Sequence, residues 1–223
     1  MTLGDMPKLN SELIFGALFG SNASGTISPI ADHVDELHPS ELEIIRNTSR
    51  KRQLEFSTGR HCAKTALAKL GIGDFPVMRN ENREPLWPKG FVGSISHCRD
   101  LCGAVIAKQT DIKAIGFDIE NIRELKQEIE KLTCTPQEIT WLSQQTSYTY
   151  NELVILLFSL KEAIFKCISS YSNILLSFKD CSIIPELDSN KAEIHFNRED
   201  VPPDIVLHFR ITKEHVYSGA YYR

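Results

Sequence analysis

The chain has 223 residues, 42% of them hydrophobic, with 25 Lys and Arg against 29 Asp and Glu for a net charge of −4. That length and composition suit one large domain or two small ones around an ordinary core. The acidic balance argues against a general nucleic-acid binder, and no run approaches the roughly twenty apolar residues of a membrane span.

The first seven residues lack a basic region before an apolar run, so no signal peptide is expected. The six cysteines, at 62, 98, 102, 134, 167 and 181, are scattered. Cys98 and Cys102 have no second pair with which to make a zinc site. They read as reduced, mostly buried thiols of a cytoplasmic protein.

In chain order, a β segment is predicted at 13–19. Ser40 with Glu43, after Pro39, reads as a capping box. A helical stretch follows to about Leu70 and is stopped by Gly71. Gly59 inside it costs about 1 kcal/mol relative to alanine. Its missing side chain would admit a ligand beside Arg60, unless it simply breaks the stretch into two helices. Basic residues are dense here: Arg46, Arg50, Lys51, Arg52, Arg60, Lys64 and Lys69. A basic patch on an acidic chain suits a small polyanion better than a nucleic-acid groove. Strands are predicted at 91–96 and 102–107, with a turn at 108–113.

The second half opens on Ala114-Ile115-Gly116-Phe117-Asp118-Ile119-Glu120. Ile115, Phe117 and Ile119 alternate with Gly116, Asp118 and Glu120, which is the period of a strand. The two carboxylates then share a face about 7 Å apart. Unrelieved, they repel; a hard divalent cation such as Mg²⁺ relieves them. Gly116 on the same face would let a bulky ligand approach. Helical patterns are predicted at 123–131 and after Pro136, then a long helix at 151–169. In that helix Leu157, Leu160, Ile164 and Ile168 make the apolar stripe. Glu162 and Lys166 stand one turn apart on another side, as a simple salt bridge or as an acid and a cation beside a bound phosphate. Strands are predicted at 178–184, 192–196, 206–212 and 215–222.

Four blocks in fixed order carry a resemblance. Ile115-Gly116-Phe117-Asp118-Ile119-Glu120 and Phe158-Ser159-Leu160-Lys161-Glu162-Ala163-Ile164-Phe165-Lys166 resemble the G-[IVF]-D-[IVL]-E and [FW]-[ST]-x-K-E-[AS]-x-x-K signatures of 4'-phosphopantetheinyl transferases. Arg83-Glu84-Pro85-Leu86-Trp87-Pro88 with Gly93-Ser94-Ile95-Ser96-His97-Cys98, and Arg52 with Glu55-Phe56 and Gly59-Arg60-His61-Cys62-Ala63, resemble the branch of the surfactin-synthetase-activating type that holds the enterobactin synthetase component D proteins. The likeness runs from about Glu41 to Ile168.

The resemblance implies an α+β fold of two similar subdomains related by a pseudo-twofold, here 1–112 and 113–223, with the active site in the cleft between them. It implies a reaction: the phosphopantetheine arm of coenzyme A moves onto a serine of an apo carrier protein. Asp118, Glu120 and Glu162 would hold Mg²⁺ or Mn²⁺. Glu162 would be base, ligand or both. Lys161 and Lys166 would contact the pyrophosphate, with Lys166 steadying the leaving oxygen. Arg52, Arg60, Arg79 or Arg83, Ser96 and His97 would bind the nucleotide phosphates, and Trp87 would be a structural anchor. The expected partners are aryl or peptidyl carrier domains of a siderophore synthetase. A monomer is expected, since one chain builds the cleft. Two departures stand out: Phe158 where many relatives have Trp, and Glu84 where others have a basic residue. The alternatives are a carrier-binding module without catalysis and a Mg²⁺-dependent phosphoesterase.

Overall fold

The computed structural model describes residues 10–123, 127–172, 174–201 and 204–223. The first element is a helix, α1 (Ser11–Phe19), where the sequence reading expects a strand. Asn10 caps it by accepting a hydrogen bond from the Leu13 backbone. Its buried residues, Ile14, Phe15, Leu18 and Phe19, repeat at helical spacing, so apolar composition outweighed period in that expectation. The first strand, β1 (Ala23–Pro29), follows instead, in a segment of small and polar residues.

The helical stretch after Pro39 is two helices, α2 (Pro39–Ile45) and α3 (Arg50–Lys69). The capping box lies two residues earlier than expected: His38 is the cap, Glu41 reaches back to its N–H, and Pro39 takes the first turn, where a missing N–H costs nothing. Gly71, at φ 81°, ends α3. Gly59 does not open a path to a ligand. A Cβ there would stand 3.1 Å from Ile95 and 3.3 Å from Cys102, so the glycine lets α3 lie close on the sheet.

That sheet has the order β1-β3-β2, all antiparallel, with β2 (Phe91–His97) and β3 (Leu101–Lys108) joined by a tight hairpin. A second, five-stranded antiparallel sheet has the order β4-β8-β7-β6-β5. Its strands are β4 (Ala114–Asn121), β5 (Cys181–Glu186), β6 (Lys191–Phe196), β7 (Val206–Ile211) and β8 (His215–Tyr222). Between β4 and β5 come α4 (Gln127–Thr133), α5 (Pro136–Ser143) and the 22-residue α6 (Tyr150–Tyr171). The start of the helix expected at 123–131 lies in part outside the described residues.

Each half therefore sets a long helix on an antiparallel sheet, α3 on β1 and β3, α6 on β4 and β8. This is the α+β arrangement of two similar halves. One core cluster crosses between them: Phe15, Leu18 and Val105 from the first half pack with Ile115, Phe117 and Ile119 from the second. At the seam Ser94 of β2 accepts a hydrogen bond from the Phe117 N–H of β4. The seam brings the ends of β2 and β4 side by side.

Gly116 does not face a ligand. A Cβ there would lie 1.9 Å from the Ala163 carbonyl oxygen and 2.6 Å from the Cys167 nitrogen, backbone atoms of α6 that cannot yield. The glycine sets how closely α6 lies on β4, and so where Glu162 sits relative to Asp118. Gly116→Ala is expected to cost about 1–3 kcal/mol or more through overpacking. Urea unfolding checks it, and a midpoint equal to wild type would show that α6 has room to move.

Candidate functional site

A cleft of about 370 Å³ opens along the seam. Its walls come from α3, the 79–85 loop, the end of β2, β4 and α6, and carry Arg52, Arg60, Arg79, Arg83, Ser96, His97, Asp118, Glu120, Glu162 and Lys166. Every proposed site residue except Lys161 lies in this one cavity. Alternation along β4 puts Asp118 and Glu120 on the cleft side, while Phe117 and Ile119 enter the core.

At the floor, Lys166 donates to Asp118 Oδ1 at 2.6 Å and to Ser96 Oγ at 2.9 Å, and Ser96 donates to the same Oδ1 at 2.8 Å. Asp118 is buried, and its other oxygen, Oδ2, has no hydrogen-bond partner. A buried, unpaired carboxylate oxygen is costly, so this atom calls for a cation. Burial, followed by repulsion from Asp118, pushes Glu120 up to about 7. Burial also raises Glu162, with Asp118 adding to the rise and Lys166 opposing it. Three acidic groups with one lysine among them leave the floor of the cleft net negative. The all-oxygen donor set and the orphaned Oδ2 fit a hard divalent cation.

The upper wall is basic. Arg52, Phe56 and Arg60 fall at i, i+4 and i+8 on α3 and face the cleft together. Arg60 lies over the Phe56 ring, 4.2 Å from its centroid. Its burial draws the guanidinium down to about 10, against the opposing pull of Glu41. The Arg60 Nε has no hydrogen-bond partner. Arg52 lies 3.3 Å from His97 Nε2, and burial lowers the His97 pKa. Arg79 and Arg83 both reach the cavity. The 79–85 loop is closed by the Arg79–Pro85 bridge and by Asn80, which accepts from the Glu84 N–H and donates to the Glu84 carboxylate. Arg83 adopts φ 68° at its tip. Glu84 is thus turned to Asn80, and two arginines flank it.

Lys161 is a correction. It is fully buried on the opposite side of α6, paired with Glu138 at 2.8 Å and donating to the carbonyls of Thr133, Phe178 and Cys181. One residue of helix turns a side chain by about 100°, given 3.6 residues per turn, so Lys161 and Glu162 cannot share the cleft. Lys161 is a structural pin, not a pyrophosphate contact.

Three supporting residues had no role from sequence. Glu55 is almost buried and lies near Arg52 at 3.5 Å, Lys51 at 3.7 Å and His97 at 3.8 Å. Phe56 underlies Arg60, and fully buried Glu41 accepts from the Val77 N–H and pairs with Lys64 at 3.0 Å. Helical spacing links Glu55 to Arg52, but Glu41's loop partners are remote in the chain. Phe158 lines the cleft and stacks on Phe178, 5.5 Å between centroids. Trp87 packs at the edge of the core under α3, as an anchor would. All six cysteines are free and five are buried.

Two family models match: the 4'-phosphopantetheinyl transferase N-terminal domain over residues 40–107, and the 4'-phosphopantetheinyl transferase superfamily over 114–217. The chain is 33% identical over 156 residues to the 4'-phosphopantetheinyl transferase Npt of Nocardia iowensis, covering 70% of this chain and 69% of that one. It is 33% identical over 151 residues to PptT of Mycobacterium tuberculosis, covering 68% and 66%. With enterobactin synthase component D of Escherichia coli K12 it shares 32% over 158 residues, covering 70% and 71%. A solved holo-ACP-synthase from Plasmodium yoelii is similar at 20% identity over 49% of this chain and 93% of that one, with a TM-score of 0.39. Among the described residues no helix is long and apolar enough to cross a membrane. The chain belongs to the 4'-phosphopantetheinyl transferase superfamily, with the enterobactin synthase component D proteins among its relatives, and is a transferase of that family.

Proposed function

We propose that the cleft moves the phosphopantetheine arm of coenzyme A onto a serine of an apo aryl or peptidyl carrier domain, releasing 3',5'-adenosine bisphosphate. The observation that carries this reading is a basic wall and an acidic floor in one cavity, with an unpaired buried oxygen, Asp118 Oδ2, at the base. A pyrophosphate with a divalent cation needs both. A carrier-binding module would need neither, and a phosphoesterase would not need four arginines around the leaving nucleotide.

In this reading Asp118, Glu120 and Glu162 hold Mg²⁺, or Mn²⁺ in its place. When bound, the cation offsets charge on the pyrophosphate oxygens. Arg52, Arg60, Arg79 and Arg83 bind the nucleotide phosphates, because planar guanidinium forks match phosphate oxygens. His97, with its pKa lowered by burial, donates one hydrogen bond as a neutral imidazole. Glu55 holds Arg52 and His97 in place. Glu162, with its pKa raised by burial, takes the proton from the serine hydroxyl as that oxygen attacks the β-phosphorus. The P–O bond to the α-phosphate then breaks, and Lys166 donates to the departing oxygen. Ser96 keeps Lys166 aimed.

Of the basic residues between Arg46 and Lys69 that could steer an acidic carrier helix, Lys64 and Lys69 are held by Glu41 and by the Gly25 carbonyl, while Lys51 is exposed and left to do so. The apolar contact then falls to Phe158 and Phe165, which meet at Phe178. Incubating the protein with Mg²⁺, coenzyme A and an apo carrier is expected to add the phosphopantetheine mass to the carrier. A siderophore-type carrier is expected to give the higher kcat/KM, with the preference shrinking as salt screens the approach. Mass spectrometry and initial rates check both. No mass gain on any carrier overturns the reaction, and equal rates at every salt concentration overturn the carrier class alone.

A further inference from the structure

A second polar cluster lies behind α3, away from the acidic floor. Three side chains converge on it from two elements. His33 precedes and Glu36 ends a single helical turn (Val34–Glu36), at spacing i, i+3, and His61 comes from α3. Glu36 Oε1 lies 2.8 Å from His33 Nδ1, and Glu36 Oε2 lies 2.7 Å from His61 Nδ1. The two imidazoles stack with centroids 4.0 Å apart and planes 22° from parallel. One ligand atom from each residue therefore lies within 4.8 Å of the other two.

The backbone that carries the cluster is held in place, and the stacked imidazoles would splay about their side-chain torsions for both Nδ1 lone pairs to meet one ion. The segment bearing His33 is tied to α3 by Thr58, which accepts from the Ala31 N–H and donates to the Ala31 carbonyl, and by Ser57, which accepts from the His33 N–H. Lys64 donates to the Glu36 carbonyl, so the carboxylate-bearing end of the turn is fixed too. Glu41 pairs with both nearby cations, Arg60 and Lys64, and offsets one of their two charges, which reduces their opposition to a bound cation. A cavity of about 300 Å³ adjoins the cluster and is lined by all three residues. It leaves room for a water or other small ligand beside them.

We propose that His33, Glu36 and His61 form a binding site for a borderline divalent cation of the Zn²⁺ class. Two imidazoles and one carboxylate are its ligand chemistry, and three protein ligands leave a fourth tetrahedral position open. On binding, each imidazole gives up the Nδ1 proton it now donates to Glu36, by its transfer to Nε2 or its release to solvent, so the cation replaces the two Nδ1–H···O bonds to Glu36. The ion would clamp the 31–37 segment to α3, the helix that carries Arg52 and Arg60. The donor set differs from the all-oxygen floor around Asp118, so the two sites prefer different metals.

Cobalt is the probe, because its visible spectrum reports coordination. Chelator-treated protein in excess Mg²⁺ is titrated with Co²⁺ and then competed with Zn²⁺. Wild type is expected to bind a single Co²⁺ at this site with the absorption of a four-coordinate complex, to lose it to Zn²⁺, and to unfold at a higher temperature with Zn²⁺ than without. His33→Ala and His61→Ala are each expected to weaken the affinity more than about tenfold, a change of about 1.4 kcal/mol, and to remove the Zn²⁺-dependent thermal shift. Asp118→Asn is expected to keep the spectrum, which separates this site from the cleft. If His61→Ala does not fold, Glu36→Gln at the exposed carboxylate carries the same test. Unchanged Co²⁺ affinity in the His33 and Glu36 variants overturns the proposal, as does a spectrum that vanishes in Asp118→Asn.

Discussion

Asp118→Asn is expected to lower phosphopantetheinyl turnover by roughly 10²–10³-fold, the scale on which removing one charge-stabilising group acts, while the chain still folds. The substitution keeps the side chain's shape and removes its charge. In the structure one Asp118 oxygen is engaged by Lys166 and Ser96 and the other has no partner. Loss of the charge weakens the first contact. It also relieves the repulsion that helps raise Glu120. These effects on stability oppose each other, so the unfolding midpoint should move little. The effect on catalysis is one-sided, because the acidic floor loses the group buried most deeply in it. Steady-state kinetics over a range of Mg²⁺, paired with urea unfolding, would decide it. Near-wild-type turnover in saturating Mg²⁺ would remove Asp118 from the cation site.

The site was more legible in the sequence than the fold around it. Asp118, Glu120, Glu162 and Lys166 lie in periodic elements, where strand alternation and helical spacing say which side chains share a face. The basic wall was legible for the same reason, since Arg52 and Arg60 stand two turns apart on α3. Faults arose where a partner distant in the chain decides the outcome. Gly116 and Gly59 read as openings for a ligand, yet each admits a packed neighbour: the α6 backbone in one case, Ile95 and Cys102 in the other. A missing Cβ looks the same in a sequence whatever fills the space. The helix α1 read as a strand because Leu13 to Phe19 are apolar throughout, and only its burial reveals the helical period. Glu138 and Glu41 stand at capping-box spacing from Thr135 and His38, but nothing local shows that they also hold neighbouring elements together, because those partners, Lys161 and the Ile183 N–H for one, Lys64 and the Val77 N–H for the other, lie in remote segments.

Lys161 and Lys166, five residues apart on α6, are expected to fail in opposite ways. Lys161→Met should destabilise the fold by about 3–5 kcal/mol, since breaking a buried ion pair strands its partner. The stranded group is Glu138, fully buried and already accepting from the Thr135 and Ile183 N–H groups. Three carbonyls, of Thr133, Phe178 and Cys181, lose their donor at the same time. Adding Glu138→Gln should return part of that stability, because the amide oxygen can still accept a hydrogen bond and no buried charge remains. The two changes are in contact and should be non-additive. Below its melting range, Lys161→Met should turn over at nearly the wild-type rate per folded molecule, because its side chain never reaches the cleft. Lys166→Ala should do the reverse. Its ammonium is partly exposed, but the Asp118 beside it is buried and keeps only Ser96 as a donor once the lysine is gone, so stability should fall by about 1–3 kcal/mol, less than in Lys161→Met. Turnover should fall by roughly 10²–10³-fold, as the group facing the leaving oxygen is lost. Urea unfolding and kcat/KM on the same five proteins, Glu138→Gln alone included, test both arms. A Lys161→Met variant that is stable but inactive would place that lysine at the pyrophosphate after all. A Lys166→Ala variant with full activity would leave the leaving oxygen to the arginines alone.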